Sequence, residues 1–232
     1  MTMQKPPLPL DKFGLATEGA SVQHHRRRTS HHWVPIRDLH AHHRRRIVDH
    51  LLALDARDRY LRFGHSASAE EVSKYVASID FRRDEVFGIF GRHLQLMAVA
   101  HLAAMPGGDP KTAANGQAME FGVSVLAEGR GQGLGLRLFQ HAITHARNRG
   151  ASHLMIYALS ENAPMLRIAA KAGATVEHHG SDAEGWLKLP PHTVATRLDS
   201  SLQSLAAEAI YRIKYRIAHI NDWVRMMMFP AQ

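Results

Sequence analysis

Apolar residues recur along this 232-residue chain with changing periods, and each period predicts a different kind of element. Residues 1–30 show none. Pro6, Pro7 and Pro9 lead into His24-His25-Arg26-Arg27-Arg28, a composition with too little apolar surface to offset the entropy of ordering. A short strand is expected at Trp33–Arg37, then a helix carrying Ile47, Leu51, Leu52 and Leu54 at helical spacing. A second helix is expected over Ala67–Ile79, where Ser68 and Glu71 form a capping-box pair that satisfies two backbone donors. Glu85–Phe90 and His93–Ala104 are strand-length runs joined as a hairpin at Gly91-Arg92, and Met105–Gln117 is a loop. Glu120–Leu126 is the next strand. After the glycine-rich turn Gly129–Gly135 comes a helix with Leu138, Phe139, Ala142, Ile143 and Ala146 on one face, ending at Gly150. His153–Leu159 is a further strand, and Asn162 opens a helix with Pro164 in its first turn and Gly173 at its close. A last hairpin of Thr175–His179 and Trp186–Leu189 is expected to turn over Ser181–Gly185.

Beyond it, Ala206, Ile210, Ile213, Ile217, Ile220 and Val224 form a seam that defines one face of a long helix. Burying its four isoleucines is worth about 1.5–3 kcal/mol each, a reason for this helix to dock. The simplest occupant is a second copy, giving a two-fold dimer, ahead of the chain's own domain and an anionic membrane. The expected organisation is therefore a flexible basic arm over 1–31, a domain over 32–191 and an associating helix over 192–232.

Composition narrows the class. Hydrophobic residues make up 45% and charged residues 22%, which excludes wholesale disorder. With no cysteine, disulfide scaffolds, thiolate metal sites and cysteine nucleophiles are excluded. No apolar run is long enough to span a bilayer, Met1 to Gly14 lacks the apolar centre of a signal peptide, and a soluble, cytoplasmic protein is expected. The net charge of +8 suggests nucleic acid until it is partitioned. Residues 1–50 hold nine Lys/Arg against four Asp/Glu, residues 51–192 fifteen against fourteen, and residues 193–232 five against three. The excess lies at the ends, so nucleic acid is not an expected partner.

Arg130-Gly131-Gln132-Gly133-Leu134-Gly135 stands between a strand and a helix, where backbone N–H groups converge on an anion. A dinucleotide fingerprint fails because each choice of first glycine ends on leucine, and no Gly-Lys-Ser/Thr triplet exists for a P-loop. The pattern Gln/Arg-x-x-Gly-x-Gly/Ala, met by Arg130, Gly133 and Gly135, resembles the pyrophosphate-binding motif of the GNAT superfamily of acyl-CoA-dependent N-acetyltransferases. The preceding order of strand, two helices and two strands is similar, and so is the later Asn162…Lys171-Ala172-Gly173. The resemblance covers about Trp33 to Pro190 and implies an α/β (α+β) fold with a mixed, mostly antiparallel sheet flanked by helices, here with a C-terminal helical extension. It further implies acetyl-CoA as co-substrate, held by Arg130, Gly131, Gln132, Gly133, Leu134 and Gly135, with the pantetheine along the backbone of Val123 and Val125 and beside Asn162. Lys171 either faces the phosphates or lies on a solvated helix face.

An amine with a pKa near 10.4 stands about 3.4 units, or roughly 4.6 kcal/mol, from its neutral form at pH 7, so a base is expected. Glu120 resembles the glutamate of bacterial protein-lysine acetyltransferase domains, where a partly desolvated carboxylate accepts a proton directly or through water. The other reading of Glu120 is a strand-end carboxylate paired with an arginine. Where many members of the superfamily place a proton-donating tyrosine, this chain has Ala169, and Tyr157 and Ser160 are the nearby substitutes. The acceptor is a protein lysine or a small amine. The competing function is a catalytically silent acyl-CoA sensor or interaction module. His141 and His145, four apart on one helix, are expected to be surface histidines, and no resident metal is expected.

Overall fold

The computed structural model describes residues 35–91, 94–105 and 117–190. The expected arm, residues 106–116 within the 105–117 loop and the associating helix lie outside these. Among the described residues seven strands form one sheet: β1 (Ile36–Leu39), β2 (Glu85–Phe90), β3 (Leu96–Ala104), β4 (Ala118–Val125), β5 (His153–Leu159), β6 (Thr175–His179) and β7 (Asp182–Lys188). Their order is β1-β2-β3-β4-β5-β7-β6, antiparallel throughout except for the parallel β4–β5 pair. Helices α1 (Arg44–Leu52), α2 (Ala56–Phe63) and α3 (Ala69–Ser78) precede β2, while α4 (Leu134–Asn148) and α5 (Ala163–Lys171) flank β5 in the chain.

Period-two alternation splits the core between the two faces of the sheet. On one face Phe87, Phe121, Leu154 and Ile156 pack under Leu138, Phe139 and Ala142 of α4. On the other, Val86 and Val99 meet Ile47 and Leu51 of α1 and Val72 and Val76 of α3. The capping box of α3 is present, with Ser68 Oγ accepting from Glu71 N–H and Glu71 accepting from Ser68 N–H. Among the described residues no helix is long and apolar enough to cross a membrane.

Several boundaries differ from expectation. The first described strand begins at Ile36, three residues after Trp33, which lies outside the described residues. β3 begins at Leu96 because Gly91 N–H bonds Gln95 O and Leu94 takes a φ of 58°, which closes the hairpin loop ahead of the strand. The last hairpin turns on Gly180-Ser181 alone, with His179 opposite Asp182. Gly180, at φ 66°, supplies the left-handed backbone that a two-residue loop needs. The largest difference is α2, a helix of only eight residues with no buried residue, too short for its apolar positions to mark more than about two turns. Its caps are nonetheless legible: Asp55 accepts from Asp58 N–H, and Gly64 at φ 78° ends it.

The two α4 histidines correct a second expectation. His141 is 8% exposed and the His145 side chain 15%, because α4 lies across β2 and presses both rings against Phe87 at centroid distances of 4.6 and 4.7 Å. Burial pushes His141 down to about 3, so its imidazole is neutral at pH 7.

Candidate functional site

The glycine-rich turn leaves β4 through a 3₁₀ segment, Ala127–Gly129, and runs into the N-terminus of α4. Gly131 and Gly133 both sit at φ 72°, and a Cβ on either would meet nothing within 4 Å. Backbone conformation, not crowding, demands glycine there. No described backbone carbonyl takes the N–H groups of Gly131, Gln132 or Gly133. Those of Leu134 and Gly135 belong to the first turn of α4, where the helix offers unpaired donors and the positive end of its dipole. Donors gathered at a turn and at a helix N-terminus are an arrangement able to receive an anion. The side chains contribute less. Leu134 is buried in the core, and Gln132 donates to Glu128 O at 2.8 Å. A Cβ on Gly135 would stand 3.1 Å from Ile168 Cδ1, so this glycine lets α5 approach α4 closely. The Arg130 guanidinium pairs with Asp58 and with Asp55 at 3.3 Å, and its backbone N–H with Ala127 O.

Beside this turn the sheet opens. β4 and β5 pair only at Ala118–His153, Met119–Leu154 and Glu120–Met155, after which they part. Leu126 N–H bonds Met97 O and Met105 N–H bonds Ala118 O, which assigns the even-numbered residues of β4 to the ladder with β3. The peptide groups of Phe121, Val123 and Val125 therefore point toward β5, which does not pair with Val123 or Val125. They form an exposed strand edge inside the sheet, the kind of edge an extended amide chain can extend.

Glu120 is the last paired residue before the opening. Its side chain shares a face with Gly122 and Ser124, is exposed, and makes no ion pair with a described residue. This departs from the partial desolvation expected of it, and the arginine-paired reading finds no partner among the described residues. Met155 lies opposite on the same face, and Tyr157 follows two residues on, 49% exposed. The Asp182 carboxylate raises the Tyr157 phenol, keeping it a proton donor. Ser160 is otherwise engaged: its hydroxyl lies 3.0 Å from Gly180 O and 2.9 Å from Asp182 O. Ala169 is fully buried, with its Cβ 3.6 Å from where a Cβ on Gly185 would stand. Position 169 faces the core and has no room for a tyrosine.

The unexpected α2 roofs the opening. Asp55 and Asp58 hold Arg130, Arg57 pairs with Glu161 at 2.8 Å, and Leu61 O accepts from Asn162 Nδ2 at 3.3 Å. Asn162 Oδ1 in turn caps α5 by accepting from Met165 N–H. Arg62 lies over Gly122, where a Cβ would come within 2.8 Å of its guanidinium, and it donates to Tyr75 Oη at 2.6 Å. Tyr75 also meets His101 Nδ1 at 2.8 Å, and His101 Nε2 stands 3.2 Å from Asp84. Burial lowers His101, helped by Arg62 and opposed by Asp84. Behind this row, His50 bridges Leu96 O and Ser124 Oγ, and burial pushes it down to about 4. Lys171 is exposed, one helical turn beyond Ile168 and hence on the side of α5 nearest Gly135.

Comparisons with known proteins bear on the fold and the family. No curated protein sequence matches the chain. Among solved structures, the GNAT domain of S. lividans PAT is similar at 21% identity, covering 66% of this chain and 89% of that one with a TM-score of 0.55. The yncA structure from Salmonella typhimurium, which holds its cofactor acetyl-CoA, is 17% identical over 69% of this chain and 96% of that one, TM-score 0.51. An acetyltransferase of the GNAT family from Staphylococcus aureus Mu50 is 8% identical over 68% and 99%, TM-score 0.54. At these identities the likeness is one of fold. The family model for the acetyltransferase (GNAT) family matches residues 42–174, more than half of the chain and every element from α1 to α5. The chain belongs to the acetyltransferase (GNAT) family, whose co-substrate is acetyl-CoA.

Proposed function

We propose that this protein is an N-acetyltransferase that moves the acetyl group of acetyl-CoA to a primary amine, of a protein lysine or a small molecule, with Glu120 as base. The observation that carries the reading is the parting of β4 and β5 immediately after Glu120, beside the open glycine turn. In this reading the N–H groups of Gly131 to Gly135 take the pyrophosphate, and Lys171 approaches the phosphates from α5. The pantetheine amides pair with Val123 and Val125, and Asn162 borders the same arm. The amine nitrogen attacks the thioester carbonyl, its proton passes to Glu120, and the carbon–sulfur bond breaks as the tetrahedral intermediate collapses. Tyr157, on the same face, protonates the departing thiolate or leaves that step to water, since a thiol pKa near 8.5 makes thiolate a tolerable leaving group. A cytoplasmic location belongs to this reading.

The test is a thiol-release assay with acetyl-CoA over a panel of amines and lysine peptides. Release that depends on an amine supports transfer. Tight binding of acetyl-CoA with no release across the panel rejects it in favour of a silent sensor, the reading that the buried Ala169 favours.

We also propose a two-fold dimer built on the seam of residues 206–224. Light scattering is expected to give twice the chain mass for the full chain and the monomer mass for a chain ending at residue 191. A full chain that is monomeric at all concentrations rejects this assembly.

A further inference from the structure

The two α4 histidines that the acetyl-transfer reading does not use face a third ligand-bearing side chain. Asp38 projects from the edge strand β1 on the α4 side of the sheet, directly opposite Phe87 of β2. His141 and His145 stand one turn apart on α4, with ring centroids 4.3 Å apart. One ligand atom from each of Asp38, His141 and His145 lies within 4.8 Å of the other two. Asp38 Oδ1, His141 Nε2 and His145 Nε2 are each buried and each lack a hydrogen bond. Three orphaned polar atoms on three neighbouring side chains, one of them on a residue more than nine-tenths buried, are costly unless something joins them. The contact of His145 Nδ1 with the Glu85 carboxylate leaves His145 Nε2 as a lone pair, and a carboxylate oxygen beside two imidazole nitrogens is a donor set that a cation completes.

We propose that Asp38, His141 and His145 bind a divalent transition-metal ion of the zinc class, with water completing the coordination, and that the ion fastens the edge strand β1 to α4. Two imidazole nitrogens and one carboxylate oxygen are a donor set for such ions, whereas calcium and magnesium prefer oxygen alone. Around zinc, with bonds of about 2.0–2.2 Å, ligand atoms stand about 3.3 Å apart, a contraction that side-chain rotation can supply. A supporting partner is already in place. His145 Nδ1 lies 2.7 Å from Glu85 Oε2, and Glu85 is itself held by Arg149 at 3.1 Å. Burial pushes Glu85 up, but His145 and Arg149 outweigh it and hold the carboxyl below its ordinary range. A carboxylate on the far nitrogen directs the Nε2 lone pair of His145 toward the ion. His141 lies eight residues beyond Gly133, about 12 Å along the helix axis, so the ion serves the scaffold and takes no part in acetyl transfer.

The chain has eighteen histidines, so the test must separate this site from the rest. Full-length protein is stripped with a chelator and titrated with Co²⁺, whose visible absorption intensifies in a tetrahedral site, then back-titrated with Zn²⁺. The same titrations are run on Asp38→Asn and His145→Gln, so that a folding defect in one variant leaves the other to decide. The wild type is expected to develop the intense cobalt band at one equivalent and lose it to zinc. Each variant is expected to lose the band or bind roughly tenfold or more weakly. Zinc should also raise the thermal midpoint of the wild type and not of the variants. Equal cobalt spectra and equal zinc shifts in wild type and variants would place the metal on other histidines and overturn the proposal, as would absence of the band in the wild type.

Discussion

Replacing Glu120 by glutamine is expected to lower turnover by about 10²- to 10⁴-fold, the range for loss of a general base, while leaving acetyl-CoA affinity within about twofold. The separation follows from position. Glu120 ends the part of β4 that pairs with β5, whereas Val123, Val125 and the turn lie beyond it, so in the proposed mechanism the carboxylate meets the amine and not the nucleotide. Its exposure leaves it open to an incoming acceptor, and no described cation competes for it. Steady-state kinetics should therefore show kcat falling with the dissociation constant for acetyl-CoA unchanged, and the acidic limb of the pH–rate profile altered. The glutamine variant keeps the size and strand preference of glutamate, which separates loss of the base from loss of the strand. Wild-type turnover at neutral pH would return Glu120 to the role of a solvated strand-end residue.

What the sequence disclosed depended on how directly each element advertised its burial. Phe87, Phe121, Phe139 and Leu154 lie in the core because alternation or helical spacing marks them, and the glycine turn stands where its residues require it. The helix α2 escaped because its eight residues hold too few apolar positions to establish a period, and only Asp55, Asp58 and Gly64 announced its ends. That omission mattered, since α2 holds Arg130, braces Asn162 through Leu61 O and lays Arg62 over Gly122. The resemblance nominated Arg130 and Asn162 for the cofactor without revealing that both are tied to the roof. His141 and His145 were misread for a different reason. Histidine is polar in any pattern, and only the crossing of α4 over Phe87, with β1 brought alongside, turns that pair inward. Ser160 shows the same limit: its hydroxyl is consumed by carbonyls around a hairpin turn that sequence placed later in the chain.

Replacing Gly133 by valine is expected to weaken acetyl-CoA binding by about ten- to a hundredfold, read by calorimetry. Two effects act in the same direction. At φ 72° a β-branched residue is strained by about 1–3 kcal/mol, which the turn can relieve only by rotating its peptide groups away from their common focus. The space around position 133 is empty, so the new side chain would project toward the site proposed for the pyrophosphate. Alanine at the same position carries the strain with less bulk and should give an intermediate loss. Gly150→Val separates the causes: that glycine has φ 79° and equally open space, but it follows the far end of α4, about 25 Å from the turn. It should lower stability while leaving acetyl-CoA affinity unchanged. If Gly133→Val binds acetyl-CoA as tightly as the wild type, the turn is not the phosphate cradle, and the cofactor must enter the opening between β4 and β5 by another route.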